Sequence, residues 1–82
     1  MPSESRDQRI HDLDATLRVG KKGIESVVDE LDTQLEESQF VKVKFLRAAR
    51  GGTTSEELAA ELADRVDASV VRVRGHTAVF EN

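Results

Sequence analysis

Strand-like and helix-like stretches alternate along this 82-residue chain, and no other feature restricts its possible folds as much. Apolar side chains recur at helical spacing from Ile24 to Leu35 and again from Leu58 to Val66, which predicts two helices with one buried face each. Short runs rich in β-branched residues precede and follow both helices. Alternation of this kind favours parallel strands joined by right-handed helical crossovers.

The strands are predicted from two-residue periodicity and β-branched composition. They cover residues 16–19, 40–46, 69–74 and 77–80. Gly75 and His76 connect the last two strands as a hairpin with glycine first, which is typical of a type II′ turn. A short opening helix from about residue 5 completes an α-β-α-β-α-β-β order. We expect an α/β chain in an α+β two-layer arrangement, whose mixed four-stranded sheet has its last strand antiparallel.

The length of the chain suffices for one modest core and not for a second. We therefore expect one domain over residues 1–82, with residues 1–4 loose. No apolar run reaches membrane-spanning length, and the N-terminus has no apolar signal region. These features predict a soluble cytoplasmic protein, with a monomer favoured and with neither a membrane nor a small-molecule substrate as its partner.

The composition also excludes several classes of site. The chain has no cysteine, so it lacks disulfides, thiolate metal ligands and thiol nucleophiles, which fits a reducing cytoplasm. Its two histidines lie in separate segments and give a zinc site little support. No nucleophile, phosphate-loop or dinucleotide motif occurs. We therefore expect no enzyme activity, no catalytic residue, no metal and no cofactor.

Gly20-Lys21-Lys22-Gly23 carries the strongest functional signal, because it lies between the first strand and the first long helix. A helix N-terminus with bare N–H groups suits a phosphate. Here the N–H groups of Gly23 and Ile24 would aim the ligand, and the two ammonium groups would supply charge. The plain alternative is a tight connection between a strand and a helix. Two adjacent lysines between the glycines favour the binding interpretation, and a similar loop clamps single-stranded backbones in KH domains.

The net charge of −4 argues at first against a nucleic-acid partner, because such domains usually carry a basic excess. The charges are segregated, however. Residues 24–38 contain six acids and no base, and residues 55–67 contain five acids and one base. Nine of the twelve bases lie in residues 18–23, 40–50 and 69–80, which contain no acid. We expect acidic helices behind basic strands and loops, and an acidic helical surface would also suit a salt-loving cell.

The predicted topology brings three loops to one edge of the sheet. They follow the carboxyl ends of the parallel strands at residues 20–23, 47–52 and 75–76, and open α/β sheets generally bind ligands at that edge. Basic side chains of the strands would extend the charge along the sheet face turned away from the long helices. Solvated lysines are the plain alternative there, but like charges on neighbouring strands repel unless a polyanion neutralises them. The full candidate set comprises Arg18, Gly20, Lys21, Lys22, Gly23, Lys42, Lys44, Arg47, Arg50, Arg72 and Arg74.

Three segments occur in an order that is fairly specific. Residues 17–24 (LRVGKKGI) contain a strand, a GxxG loop and a helix start, and residues 40–45 (FVKVKF) contain a Val-Lys-Val-Lys strand. Gly75 and residues 77–80 form a closing hairpin led by glycine. In this order the segments, and the chain over roughly residues 8–81, resemble the CRM domain (chloroplast RNA splicing and ribosome maturation) in its free-standing prokaryotic form, the YhbY family.

The resemblance implies a fold like the C-terminal domain of bacterial translation initiation factor three. It also implies RNA binding connected with assembly of the large ribosomal subunit, so that ribosomal RNA or a pre-ribosomal particle is the expected partner. The family's RNA-contacting loop falls on residues 20–23, and the candidate set above becomes a set of candidate RNA-binding residues. Because the chain has only three aromatic residues, recognition of backbone and shape fits better than base stacking.

Two other functions stay open from the sequence. One is a chromatin-like protein that coats DNA and RNA in general, because a DNA-binding archaeal family uses a related architecture. The other is a protein-interaction module whose acidic helices dock basic ribosomal proteins. The eleven acids in residues 24–38 and 55–67 are the reason for considering it.

Overall fold

The computed structural model describes residues 6–82, and their side chains from residue 8 onward. Helices α1, α2 and α3 cover Arg6–His11, Val28–Glu37 and Ser55–Val66. Strands β1 to β4 cover Ala15–Val19, Phe40–Phe45, Ser69–Arg74 and Thr77–Glu81. Two 3-10 turns, Ile24–Val27 and Arg47–Ala49, precede α2 and follow β2. The prediction that residues 1–4 are loose lies outside the described residues.

The four strands form one mixed sheet in the order β1-β2-β4-β3. β1 is parallel to β2, and β4 lies between β2 and β3 and is antiparallel to both. β1, β2 and β3 therefore run in the same direction and β4 is reversed, which confirms the predicted α+β fold. The β3–β4 hairpin turns at Gly75, whose φ of 58° is what a primed hairpin turn needs at its first central position.

The main core lies between the sheet and the helix pair α2 and α3. Phe45 and Phe80 are fully buried from the sheet side, and Leu31 and Leu62 from the helix side. Leu31 and Leu62 lie in the two stretches whose helical spacing predicted a buried face, and Phe45 lies in the strand predicted over residues 40–46, where two-residue alternation directs it toward the core. This part of the prediction is confirmed. Burying one such side chain contributes about 1.5–3 kcal/mol, and this cluster holds the two helices against one face of the sheet.

The helical pattern that begins at Ile24 does not begin as an α-helix. Residues Ile24–Val27 form a 3-10 turn, and α2 starts only at Val28. Ile24 and Val27 are both buried, and a 3-10 turn places residues i and i+3 on the same side. The tight turn therefore satisfies the same apolar spacing. The expectation that an α-helix starts directly after the glycine loop is wrong for this reason.

Helix α1 lies on the opposite face of the sheet from α2 and α3. Ile10 is buried there in a small cluster with Phe40 and Val79. The guanidinium carbon of Arg9 lies 5.2 Å from the centre of the Phe40 ring, which is within the range of a cation–π contact. The outer face of the sheet is thus covered by α1 near Phe40, whereas Lys44, further along the same strand, is exposed.

Candidate nucleic-acid interface

Backbone hydrogen bonds hold the three predicted loops side by side. The N–H of Leu46 donates to the carbonyl of Val19 at 2.8 Å, and the N–H of Phe45 donates to the carbonyl of His76 at 2.7 Å. The ends of β1 and β2 and the β3–β4 turn therefore meet at one side of the sheet, as the topology predicted. We call this side the loop edge.

The GxxG loop at this edge is a closed turn with its lysines at the tip. The N–H of Gly23 donates to the carbonyl of Gly20 at 3.0 Å, and Lys21 and Lys22 between them are exposed. The carbonyl of Gly23 in turn accepts from the N–H of Ser26 at 3.2 Å and from its hydroxyl at 2.8 Å. The loop therefore presents both ammonium groups to solvent, and its own hydrogen bonds fix the conformation of its backbone.

Two details of the predicted phosphate site are corrected by this geometry. The N–H of Gly23 closes the turn, so it does not point at a ligand as the sequence suggested. One 3-10 turn separates the loop from α2, so the dipole of the α-helix does not begin at the loop, and this effect falls off within one turn. The N–H of Ile24 has no acceptor within its own 3-10 turn, because it is the first residue there. The charges of Lys21 and Lys22 therefore contribute more to phosphate binding at this loop than the N-terminus of the helix does.

The two glycines of the loop have different backbone requirements. Gly23 has φ 79° and ψ −177°, a conformation that is essentially restricted to glycine. A methyl group added to Gly20 would meet the side chain of Leu46 at 3.6 Å, which is ordinary van der Waals contact.

We therefore expect Gly23→Ala to lower the free energy of unfolding by about 1–3 kcal/mol, while Gly20→Ala changes it by less than about 0.5 kcal/mol. Urea unfolding of the two variants, followed by circular dichroism, measures the difference. Equal midpoints for the two variants would contradict the strained conformation of Gly23.

Three exposed cations form a row across the outer sheet face beside the loop edge. In the register of the sheet Arg18 is opposite Lys44, Lys44 is opposite Thr77, and Thr77 is opposite Arg74. Arg18, Lys44 and Arg74 are all exposed. Neighbouring strands lie about 4.8 Å apart, so this cation row spans about 14 Å. It brings together three of the predicted residues, one from each of β1, β2 and β3.

A second row lies deeper on the same face, where Lys42 and Arg72 both stand opposite Val79. These two side chains are half-buried. The ammonium of Lys42 donates to the carbonyl of Leu13 at 3.2 Å, so it also holds the segment that follows α1. The prediction treated Lys42 as a purely outward side chain, and this tertiary contact was not visible in the strand pattern.

The two arginines of the loop after β2 lie in different environments. Arg47, in the 3-10 turn, is exposed. Arg50 is half-buried, and its Nε donates to the carbonyl of Phe45 at 3.1 Å. Arg50 therefore supports the end of β2 as well as adding charge near the loop edge.

The acids lie in the helix layer. All eleven acids of residues 24–38 and 55–67 are exposed. Glu25 forms an ion pair with Arg65, which ties α3 to the 3-10 turn before α2. The predicted separation into acidic helices and basic strands thus corresponds to two layers of the molecule.

Sequence reasoning missed a small cleft between α1 and the outer sheet face. Its volume is about 30 Å³, and its lining includes His11 together with Lys42, Arg72 and Arg74. His11 is the last residue of α1 and is exposed. Local periodicity could not have found this cleft, because it depends on which face of the sheet α1 covers.

Other kinds of site find no match within residues 6–82. No group of three or more histidine, aspartate or glutamate side chains in this part of the chain is placed to hold a metal ion. In the same residues, no helix combines the length and the apolar character that crossing a membrane requires.

Three of the matches with known proteins and families are consistent with one another. A curated protein of Methanocaldococcus jannaschii, named as a probable RNA-binding protein, is 43% identical over 68 residues, which are 83% of this chain and 51% of that protein. This chain thus spans about half the length of that relative. The solution structure of a hypothetical Staphylococcus aureus protein, described as a proposed RNA-binding protein, superimposes with a TM-score of 0.74 at 26% identity. That match covers 93% of this chain and 78% of the other.

The third match is to a family model and extends over most of the chain. The model of the CRS1/YhbY (CRM) domain matches residues 4–80. This range includes the GxxG loop, the cation row, strands β1 to β3 and all of β4 except Glu81. The chain therefore belongs to the CRS1/YhbY (CRM) domain family.

Proposed function

We propose that this protein binds RNA through its loop edge and outer sheet face. The observation that carries the proposal is the placement of Lys21 and Lys22 at the exposed tip of the GxxG loop, beside a row of three exposed cations. Phosphate contacts of this kind supply most of the affinity of nucleic-acid binding proteins. The names of the two relatives, both of which refer to RNA binding, support the same class of partner.

Recognition is directed at the backbone and the shape of the RNA. The chain has no tryptophan or tyrosine, and all three phenylalanines, Phe40, Phe45 and Phe80, are buried with at most 6% of their surface exposed. Stacking of a base on an aromatic side chain contributes about 1–3 kcal/mol per base, and this protein has no exposed aromatic ring to provide it. Phosphate and sugar contacts therefore have to supply the affinity.

The resemblance to the CRM family narrows the proposed partner to ribosomal RNA or a pre-ribosomal particle during maturation of the large subunit. In this role the protein works in the cytoplasm as a binding protein rather than an enzyme, and as a monomer. A structured RNA offers closely spaced phosphates, which suits a surface where six of the candidate cations, Arg18, Lys21, Lys22, Lys44, Arg47 and Arg74, are exposed on one side.

A second candidate function is supported by the acidic helix layer. Eleven exposed acids on α2, α3 and the segments at their ends could dock a basic protein while the opposite side holds RNA. Charge reversal on α2, such as Glu30→Lys with Glu37→Lys, would then abolish association with a basic ribosomal protein, whereas changes in the GxxG loop would not.

RNA and DNA binding are compared directly to test the proposed function. We expect tighter binding to single-stranded or structured RNA than to duplex DNA of equal length, because the surface lacks the continuous charge of a coating protein. The slope of log K against log salt should be about −3.5 on single-stranded RNA, if each of Lys21, Lys22, Arg18, Lys44 and Arg74 contacts one phosphate. Fluorescence anisotropy at several salt concentrations measures both quantities. Equal affinity for duplex DNA would favour the chromatin-like alternative, and no binding to either would overturn the proposal.

A further inference from the structure

The cleft between α1 and the outer sheet face has an unusual combination of surfaces. Ile10 and Val79 contribute apolar surface, and the other side chains include four that carry N–H donors, His11, Lys42, Arg72 and Arg74. The volume of about 30 Å³ holds about two water-sized atoms. A space of this size is large enough for the oxygens of one oxyanion.

The donors of the cleft come from three different elements. His11 belongs to α1, Lys42 to β2, and Arg72 and Arg74 to β3. The ammonium group of Lys42 donates one hydrogen bond to the carbonyl of Leu13. An ammonium group has three N–H donors, so two of them remain for a ligand. Thr77 also lines the cleft, and the lining contains no carboxylate among the described residues. The convergence of donors from His11, Lys42 and Arg74 is suited to an anion.

The cleft is continuous with the proposed RNA-binding surface. Arg74 belongs both to the cation row and to the lining of the cleft. An RNA backbone that follows the row away from the GxxG loop would therefore reach the cleft at Arg74. The two non-bridging oxygens of one phosphodiester match the two water-sized atoms that the cleft can hold.

We propose that this cleft is a second phosphate site, which binds one phosphate group of the RNA and uses His11 of α1 as a donor. The inference rests on the proposed RNA-binding function and adds α1 to the interface. It gives the opening helix a role in binding, because α1 places His11 over a sheet face that would otherwise contribute cations from the strands alone.

Inorganic phosphate and RNA are used as separate probes in the test. The imidazole signals are easily distinguished by NMR, since the chain has only two histidines. Titration with inorganic phosphate should shift the signals of His11 at a lower phosphate concentration than those of His76. His76 serves as the internal comparison, because it lies in the β3–β4 turn at the loop edge and does not line the cleft.

The affinity for RNA is then compared among variants of the full chain. His11→Ala should weaken binding by about threefold to tenfold, as the loss of one hydrogen bond does, and His11→Arg should restore it. Unchanged Ile10 methyl signals show that α1 stays in place. The affinity of an oligonucleotide without terminal phosphates is compared with that of its 5′-phosphorylated form. Equal affinities assign the site to an internal phosphodiester, and tighter binding of the phosphorylated form assigns it to the end of the RNA chain.

Two results would overturn the proposal, and they can be told apart. If His11→Ala binds RNA like the unchanged protein and phosphate leaves His11 unshifted, the cleft is not a phosphate site, although RNA binding stands. If phosphate shifts His11 but no RNA binds, both the proposed function and the assignment of the cleft to RNA are wrong, and free phosphate is its ligand.

Discussion

The double change Lys21→Ala with Lys22→Ala is expected to weaken RNA binding by about tenfold to hundredfold, because each lost phosphate contact is worth up to about 1.4 kcal/mol. The salt slope on single-stranded RNA should become shallower by about 1.4. Both side chains are exposed at the tip of the turn, and the turn itself is closed by the backbone of Gly20 and Gly23. The fold should therefore survive the change. Fluorescence anisotropy at several salt concentrations measures the effect, with circular dichroism as the check on folding.

A matched control tests whether the position of the two charges or the net charge of the protein determines binding. Thr33→Glu with Ala60→Glu lowers the net charge from its value of −4 by two units, as the double lysine change does. Thr33 and Ala60 are exposed on α2 and α3, in the layer on the other side of the sheet. We expect this control to reduce affinity by less than about threefold, because screened charges at a distance contribute little. Equal losses for the two double variants would show that net charge, and not the GxxG loop, determines binding.

Phe80→Ala is expected to lower the free energy of unfolding by about 3–5 kcal/mol, the usual cost of removing a buried aromatic ring. Phe80 is fully buried on β4, and its partners in the sheet are Val41 of β2 and Val70 of β3. A cavity there weakens the contact of both neighbouring strands with the helices. A domain of this kind is stable by about 5–15 kcal/mol in total, so the variant should lose a large fraction of its stability. Urea unfolding at constant temperature measures the change.

Phe80→Leu is the control for this change, since leucine retains much of the apolar volume. It should lower the stability clearly less than Phe80→Ala does. If both variants unfold at the midpoint of the unchanged protein, the Phe80 ring does not stabilise the core. RNA binding of any variant that remains folded should be unaffected, because Phe80 faces the helices and not the outer face.

The elements and the main core were largely predictable because they depend on local periodicity. Leu31, Leu62 and Phe45 were assigned to buried faces by their spacing, and all three are fully buried. The start of α2 was predicted wrongly, since an i, i+3 pair of apolar residues satisfies both a 3-10 turn and an α-helix. Hydrogen bonding between Gly23 and Ser26, rather than apolar spacing, distinguishes the two.

The candidate interface was predictable only in part. Strand direction alone placed the three loops at one edge, and the hydrogen bonds of Leu46 and Phe45 agree with that placement. The second contacts of Lys42 and Arg50 could not be inferred, because each reaches a backbone carbonyl outside its own strand or turn. Which of the candidate residues touch RNA stays a prediction, and the lysine variants above address the first two.

By itself, the amino-acid sequence determined the order of the elements, the buried faces of the two long helices and the separation of acidic from basic segments. These properties follow from spacing and composition along a single stretch of chain. Only the tertiary structure decided that α1 covers the outer sheet face, that Arg18, Lys44 and Arg74 stand in one row, and that His11 meets the strand cations in a cleft. The pairing of particular residues across strands and the face that α1 covers depend on contacts between distant segments, and the spacing of residues within one segment does not specify these contacts.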